Sequence, residues 1–76
     1  MRYPRVSVDH TIMGGVPCVR GTRIPVATVV GMIAEGMTVD EIISDFPQLA
    51  VDDIQDSLRY AAAAVDERQL PYRESA

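Results

Sequence analysis

Residues 38–54, TVDEIISDFPQLAVDDI, contain two helix starts on either side of a proline, and they decide the fold. Thr38 and Glu41 have the spacing of a capping box, in which the hydroxyl caps the helix and the glutamate bonds back to the cap residue. Apolar residues follow at the i, i+3, i+4 and i+7 positions of one helix face: Val39, Ile42, Ile43 and Phe46. Pro47 ends this helix, because a proline disfavours helical backbone at the residue before it.

A further helix is predicted from about Val51 to about Arg68. Its apolar residues lie three or four positions apart: Val51, Ile54, Leu58, Ala61 and Val65. Pro71 stops the pattern, and residues 71–76 form a polar tail. Joined by the short turn that follows Pro47, these two helices predict a helix-turn-helix unit.

Two strand-like segments lie in the N-terminal part of the chain. Residues 5–8 alternate polar and apolar side chains, which is typical of a half-buried strand. Residues 16–19 form a second short run, which Pro17 restricts to the edge of a sheet. Because two strands alone are marginally stable, we expect them to pack on helices or to pair with another chain.

A first helix is predicted from Val26 to Glu35, with Pro25 in its first turn and Gly36 as its C-terminal stop. The segment is apolar on most sides, which indicates that the helix is buried. The composition changes from β-like to helical at this point of the chain.

The 76 residues therefore predict one mainly α domain over residues 1–76. A short N-terminal β-hairpin, or separate β-strands, within residues 4–19 precedes a three-helix helix-turn-helix core over residues 25–68. No apolar run approaches the roughly 18 residues of a membrane span and no signal peptide opens the chain, so we expect a cytoplasmic protein with no membrane association.

So small a domain often needs a covalent, metal or subunit link for stability. A lone cysteine, Cys18, excludes an internal disulfide, and a lone histidine, His10, argues against a structural zinc site. These two residues also lack a third, orienting group and an oxyanion site, so they do not predict a catalytic pair. We therefore expect no catalytic residues, no metal and no cofactor, and we expect a partner chain to supply the missing stability.

The net charge is −4, and all seven basic residues are arginine. An acidic chain is a poor general binder of nucleic acids, whose affinity for proteins rests on cationic side chains, but it suits a basic partner. Asp52, Asp53 and Asp56 lie in the first turns of the last helix, where they would oppose DNA reading by that helix. They fit either favourable placement against the helix dipole or an acidic face for a basic protein.

Three arginines on or after the last helix, Arg59, Arg68 and Arg73, are candidates for contacting the same partner. An arginine can enter a carboxylate-rich pocket and form a bidentate pair there. The alternative is that these side chains are solvated or paired locally.

The segment Arg20-Gly21-Thr22-Arg23 is a candidate site for an anion or for DNA. Two guanidinium groups, a flexible glycine, a hydroxyl and the start of a helix could together hold a phosphate or a carboxylate. In the structural alternative, Gly21 makes a turn, Thr22 helps to cap the first helix, and the arginines pair with acids of this chain.

Four segments carry a resemblance to a bacterial family: residues 15–26 (GVPCVRGTRIPV), 35–42 (EGMTVDEI), 45–49 (DFPQL) and 53–54 (DI). They resemble the domain of unknown function 433 family over about residues 4–65. The resemblance implies a homeodomain-like helix-turn-helix fold. It also implies an antitoxin of a type II toxin–antitoxin pair, encoded beside a toxin with a PIN-like ribonuclease fold.

Two positions depart from the family pattern. Ala50 stands where a threonine or serine usually caps the last helix, and an alanine cap costs about 1 kcal/mol. We expect Asp52 or Asp53 to interact with the exposed N–H groups instead. His10 stands where a proline is common, in the loop between the two strands.

The resemblance, the acidic charge and the lack of catalytic groups predict an antitoxin-like protein that neutralises a PIN-like ribonuclease toxin in a hetero-oligomer. A ribonuclease carries basic surface around an acidic, metal-binding centre. The three aspartates would meet the basic rim, and Arg68 or Arg73 would enter the acidic centre.

Two other hypotheses stay open. The chain could be a helix-turn-helix regulator that binds operator DNA as a homodimer, with Arg20 and Arg23 as its anchor. It could also be a self-associating module, joined through the strand edge at residues 5–8 and the apolar first helix.

Overall fold

Two short antiparallel strands precede three helices in the computed structural model, which describes residues 3–11 and 13–66. The strands are β1 (Val6–Ser7) and β2 (Cys18–Val19), with a 3₁₀ turn at Met13–Gly15 between them. The helices are α1 (Val26–Ala34), α2 (Val39–Asp45) and α3 (Val51–Val65). The predicted fold, mainly α with an N-terminal β-hairpin before three helices, is confirmed.

Pro25 lies just before α1 and not, as predicted, in its first turn. Its backbone is extended, with φ −64° and ψ 144°, and its carbonyl accepts hydrogen bonds from the N–H groups of Thr28 and Val29. Pro25 thus acts as the cap residue, a position where its missing N–H costs no helical hydrogen bond.

The C-terminal end of α1 is a Schellman motif. The Gly36 N–H donates to the Ile33 carbonyl, and the Met37 N–H donates to the Met32 carbonyl. Gly36 has a φ of 95°, which explains why a glycine is needed there. The helix ends at Ala34, one residue earlier than the sequence pattern indicates.

The predicted capping box of α2 is present. The Thr38 hydroxyl accepts from the Glu41 N–H at 3.1 Å, and the Thr38 N–H donates to the Glu41 carboxylate at 2.8 Å. At the start of α3 only half of this motif forms, because Ala50 has no acceptor in its side chain. The Ala50 N–H donates to the Asp53 carboxylate at 2.8 Å. One of the two aspartates thus interacts at the start of α3, but with the N–H of the cap residue itself and not with the N–H groups that a serine or threonine would cap.

The core lies where the three helices meet β2. Each of these four elements contributes one buried side chain, and the turn between α2 and α3 contributes another; the five are Val19, Val29, Ile42, Leu49 and Ile54. β1 is antiparallel to β2, with Val6 opposite Val19, and it also packs against α3. The expectation that the strands pack on the helices is therefore confirmed, and the extended α1–α3 contact forms the body of the domain.

Replacing Ile54 tests this core. Ile54 is fully buried, so we expect Ile54→Ala to lower the free energy of unfolding by about 2–5 kcal/mol, measured by urea titration with circular dichroism. Val51→Ala in the same helix is the control: Val51 is 44 % exposed, and its loss should be within about 0.5 kcal/mol. Equal losses from the two variants would contradict the assigned core.

Candidate functional site

The aspartates predicted to meet a partner converge with an arginine that the sequence did not single out, Arg5. The Arg5 guanidinium lies 3.1 Å from the Asp53 carboxylate and 3.5 Å from that of Asp52. The Arg5 backbone N–H donates to Asp56 Oδ2 at 2.9 Å. Arg5 is separated from these residues by nearly fifty positions in the chain, so no local pattern relates them.

Asp56 is the buried member of this cluster, with 5 % of its surface exposed. Its second oxygen, Oδ1, lies 3.5 Å from the Arg59 guanidinium, one helical turn along α3. Both oxygens therefore interact with groups of this chain, which explains how a carboxylate remains buried. Asp56 positions β1 against α3 and is not available to an incoming protein.

The outer members of the cluster are accessible. The side chains of Asp52 and Arg59 are 70 % and 63 % exposed. They border a cleft of about 270 Å³, which we call the mixed-charge cleft; its lining is Pro4, Arg5, Asp52, Gln55, Asp56 and Arg59. Four of the six residues predicted for partner binding thus lie at one place. The other two, Arg68 and Arg73, lie outside the described residues.

A second concave surface lies between α1 and α3. This α1–α3 groove has a volume of about 390 Å³ and is lined almost entirely by apolar side chains: Val16, Pro17, Val26, Ala27, Val30, Gly31, Tyr60, Ala61, Ala64 and Val65. Among residues 3–11 and 13–66, no carboxylate or guanidinium lines it. Residues 61–64 are four consecutive alanines, whose small side chains allow another backbone to come close, but the sequence does not show which face of α3 they leave uncovered.

The cleft and the groove are neighbours on one helix. Asp52, Asp56, Tyr60 and Ala64 are four residues apart, so they form one stripe along α3. Tyr60 marks the boundary, where its ring meets that of Tyr3 edge to face with centroids 5.6 Å apart. A partner lying along this stripe would contact the exposed Asp52 at one end and the α1–α3 groove at the other, while Asp56 stays buried.

The segment of residues 20–23, which we call the arginine turn, directly follows β2 and is closed by hydrogen bonds within the chain. The Val19 carbonyl accepts from the Thr22 N–H at 3.0 Å and from the Thr22 hydroxyl at 2.8 Å. The Val19 N–H donates to the Ile24 carbonyl, and Gly21 has a φ of 80°. Gly21 thus makes the turn that the structural alternative required, whereas Thr22 stabilises this turn and not the helix start.

The two arginines of the turn have different surroundings. Arg20 Nε donates to the Pro4 carbonyl at 2.6 Å, and Arg20 Nη2 donates to the Val6 carbonyl at 3.3 Å. The guanidinium therefore links the turn after β2 to the β1 segment. Arg23 is exposed, and it forms no ion pair or side-chain hydrogen bond within residues 3–11 and 13–66. The turn borders a groove of about 460 Å³ that Ser7 and Asp9 also line.

Asp9 is the carboxylate of that groove. Its Oδ1 accepts hydrogen bonds from the Thr11 hydroxyl at 2.6 Å and from the Thr11 N–H at 2.9 Å. Both bonds favour the ionised form, with the hydroxyl bond first, and they lower the pKa of Asp9 below its usual value. Asp9 is therefore charged at neutral pH.

The described part of the chain contains neither a cluster of metal ligands nor a helix that could span a membrane. Within residues 3–11 and 13–66, no three histidine, cysteine, aspartate or glutamate side chains come together as metal ligands. Cys18 is buried, and its thiol donates to the Val16 carbonyl at 3.4 Å. None of the helices in these residues has the length and apolar character needed to cross a membrane.

Residues 6–61 match the family model described as protein of unknown function (DUF433). The chain belongs to this family. The match covers β1, β2, the arginine turn, α1, α2 and most of α3. Arg5 of the mixed-charge cleft and Ala64 and Val65 of the α1–α3 groove lie outside it.

Two relatives put this membership in context. The uncharacterized protein y4eO of Sinorhizobium fredii (strain NBRC 101917 / NGR234) is 40 % identical over 58 residues, which are 76 % of this chain but 26 % of that protein. The crystal structure of a DUF433 member protein from Anabaena variabilis is similar with a TM-score of 0.73 and 27 % identity, covering 78 % of this chain and 58 % of that chain. The chain thus spans about a quarter of one relative and somewhat over half of the other.

The role of Asp56 can be tested by comparing two carboxylates of α3. Asp56→Ala leaves the Arg5 N–H without its acceptor, and we expect the free energy of unfolding to fall by about 1–3 kcal/mol. Asp52→Ala removes an exposed ion pair and should change it by less than about 0.5 kcal/mol. Urea titration of the two variants measures both values, and similar losses would mean that Asp56 does not hold β1 in place.

Proposed function

We propose that this DUF433 protein is an antitoxin-like binding protein that neutralises a PIN-like ribonuclease in the cytoplasm. The observation that carries the proposal is the α1–α3 groove, an open apolar surface beside accessible charges. The identity of the toxin comes from the family resemblance, and the groove supports the more general property of binding another protein.

The groove has the composition of the centre of a protein interface. Such centres are depleted in charged residues and contain the apolar side chains that contribute most of the affinity. Here the small side chains of Ala27, Gly31 and Ala61 leave room for a partner's larger side chain between α1 and α3. Covering this surface would also add apolar burial to a domain whose own core is small.

The mixed-charge cleft supplies the polar rim of the same surface. Asp52 is exposed and could meet the basic surface with which a ribonuclease attracts RNA, while Arg59 could pair with a carboxylate. Asp53 and Asp56 act indirectly in this proposal, because they hold Arg5 and β1 in place beside the cleft. Arg68 and Arg73 retain their predicted role as arginines that enter the acidic centre.

Binding of operator DNA is the alternative proposal, and the geometry favours it less. If α3 were a recognition helix, its N-terminal residues would face base edges and phosphates. Asp52, with most of its side chain in solvent, stands at that end of α3 and would repel them. The positive charge available for DNA lies instead in the arginine turn, so a DNA complex would have to be anchored there.

Co-expression with the protein encoded by the neighbouring gene, which this proposal predicts to be a PIN-like ribonuclease, tests the proposal. We expect the tagged chain to co-purify with the ribonuclease and to relieve its toxicity. Ala64→Glu places a charge in the groove, and we expect it to abolish both effects, because an unpaired charge in an apolar interface is strongly unfavourable. Growth rescue and the amount of co-purified ribonuclease are the measurements.

Ala62→Glu is the matched control. Ala62 is an exposed alanine of the same helix that does not line the groove. This variant should rescue growth as well as the wild type does. Toxicity that the wild-type chain leaves unchanged, with no co-purification, would refute the proposed function, whereas equal loss in both variants would refute the groove as the docking surface.

A further inference from the structure

We propose that the arginine turn, together with Ser7, binds a singly charged phosphate group such as a phosphodiester. This site lies apart from the α1–α3 groove and the mixed-charge cleft, and it does not depend on the antitoxin proposal. Its lining residues are Ser7, Asp9, Arg20, Gly21, Thr22 and Arg23.

Hydrogen bonds within the chain stabilise the conformation of the turn. Val19 and Ile24 are bonded across its base, and the Thr22 hydroxyl both donates to the Val19 carbonyl and accepts from the Ile24 N–H at 2.9 Å. Arg20 is fixed by two backbone carbonyls of the neighbouring strand segment. Binding of a ligand would therefore cause only a small loss of conformational entropy in this turn.

Several donors around this groove have no acceptor in the described part of the chain. The N–H groups of Gly21 and Arg23, the Arg23 guanidinium and the Ser7 hydroxyl form no hydrogen bond within residues 3–11 and 13–66. Backbone N–H groups next to a residue with positive φ, combined with guanidinium groups, are a common means of binding phosphate oxygens.

The charge of the lining selects the class of anion. Two arginines and one aspartate give this groove a net charge of +1, although the whole chain carries −4. Counting only the described residues, the mixed-charge cleft has two arginines and two aspartates and the α1–α3 groove has no charged residue, so neither has an excess of positive charge. Since Asp9 stays ionised beside the arginines, a monoanion fits this lining better than a dianion.

Amide NMR titration tests the site directly. Diethyl phosphate is the small probe, and a short DNA duplex of unrelated sequence is the second arm. We expect diethyl phosphate to shift the Gly21 and Arg23 amide signals in a saturable manner. If the duplex shifts the same signals, the phosphate comes from a nucleic-acid backbone. If only diethyl phosphate shifts them, the ligand is a free diester. Both results support the site.

Two arginine variants separate this site from general attraction to positive charge. In Arg23→Ala we expect about tenfold weaker binding of diethyl phosphate, because one charge-assisted hydrogen bond is lost. Arg59→Gln removes an exposed charge from α3 while keeping a hydrogen-bonding side chain beside Asp56, and it should bind diethyl phosphate like the wild type. Circular dichroism of both variants checks that the fold is unchanged.

Any of three results would overturn the proposal. The first is the lack of saturable shifts in the turn with diethyl phosphate. The second is a similar affinity for diethyl phosphate in Arg23→Ala and in the wild type. A stronger saturable response to a dicarboxylate such as succinate than to diethyl phosphate would also reject phosphate as the ligand class.

Discussion

One oxygen of the Asp56 carboxylate accepts a hydrogen bond from the Arg5 N–H, and the other lies beside the Arg59 guanidinium. The Asp56 side chain is almost completely buried. A buried carboxylate is tolerated only when it is paired, so the position of β1 on α3 is tied to these partners. The remaining N-terminal structure depends on that position. The Arg20 N–H donates to the Arg5 carbonyl at 2.7 Å, and the Arg20 guanidinium donates to the carbonyls of Pro4 and Val6. These bonds fix the position of the arginine turn relative to β1.

The same constraint separates the surface into regions of different chemistry. Charges that face one another around Arg5 are neutralised within the chain, whereas α1 contains no charged residue and residues 60–65 of α3 contain none either. An apolar groove therefore remains open in a small, acidic protein. A surface of this kind is suited to binding another macromolecule, because apolar area supplies affinity and the nearby charges orient the partner.

Membership of DUF433 is compatible with these separate surface regions and does not identify a partner. The matched residues 6–61 include both walls of the groove for most of their length and the whole arginine turn. The relatives are longer proteins, of which this chain spans a part. Protein docking on α1 and α3 and phosphate binding at the turn use different residues, so the two proposals can hold together in one molecule.

Local sequence determined the secondary structure well. The Thr38–Glu41 capping box, the glycine stop at Gly36 and the helix break at Pro47 act through residues a few positions apart, and each can be read from the chain. The Arg5–Asp56 pairing could not be predicted, because it joins residues 51 positions apart and depends on how β1 packs on α3. Because this distant pairing is not visible in the sequence, the three aspartates at the start of the last helix were predicted to form one acidic face. Only the tertiary structure showed that Asp53 and Asp56 are used internally, that Asp52 is exposed, and that the small residues of α1 and α3 border an open groove.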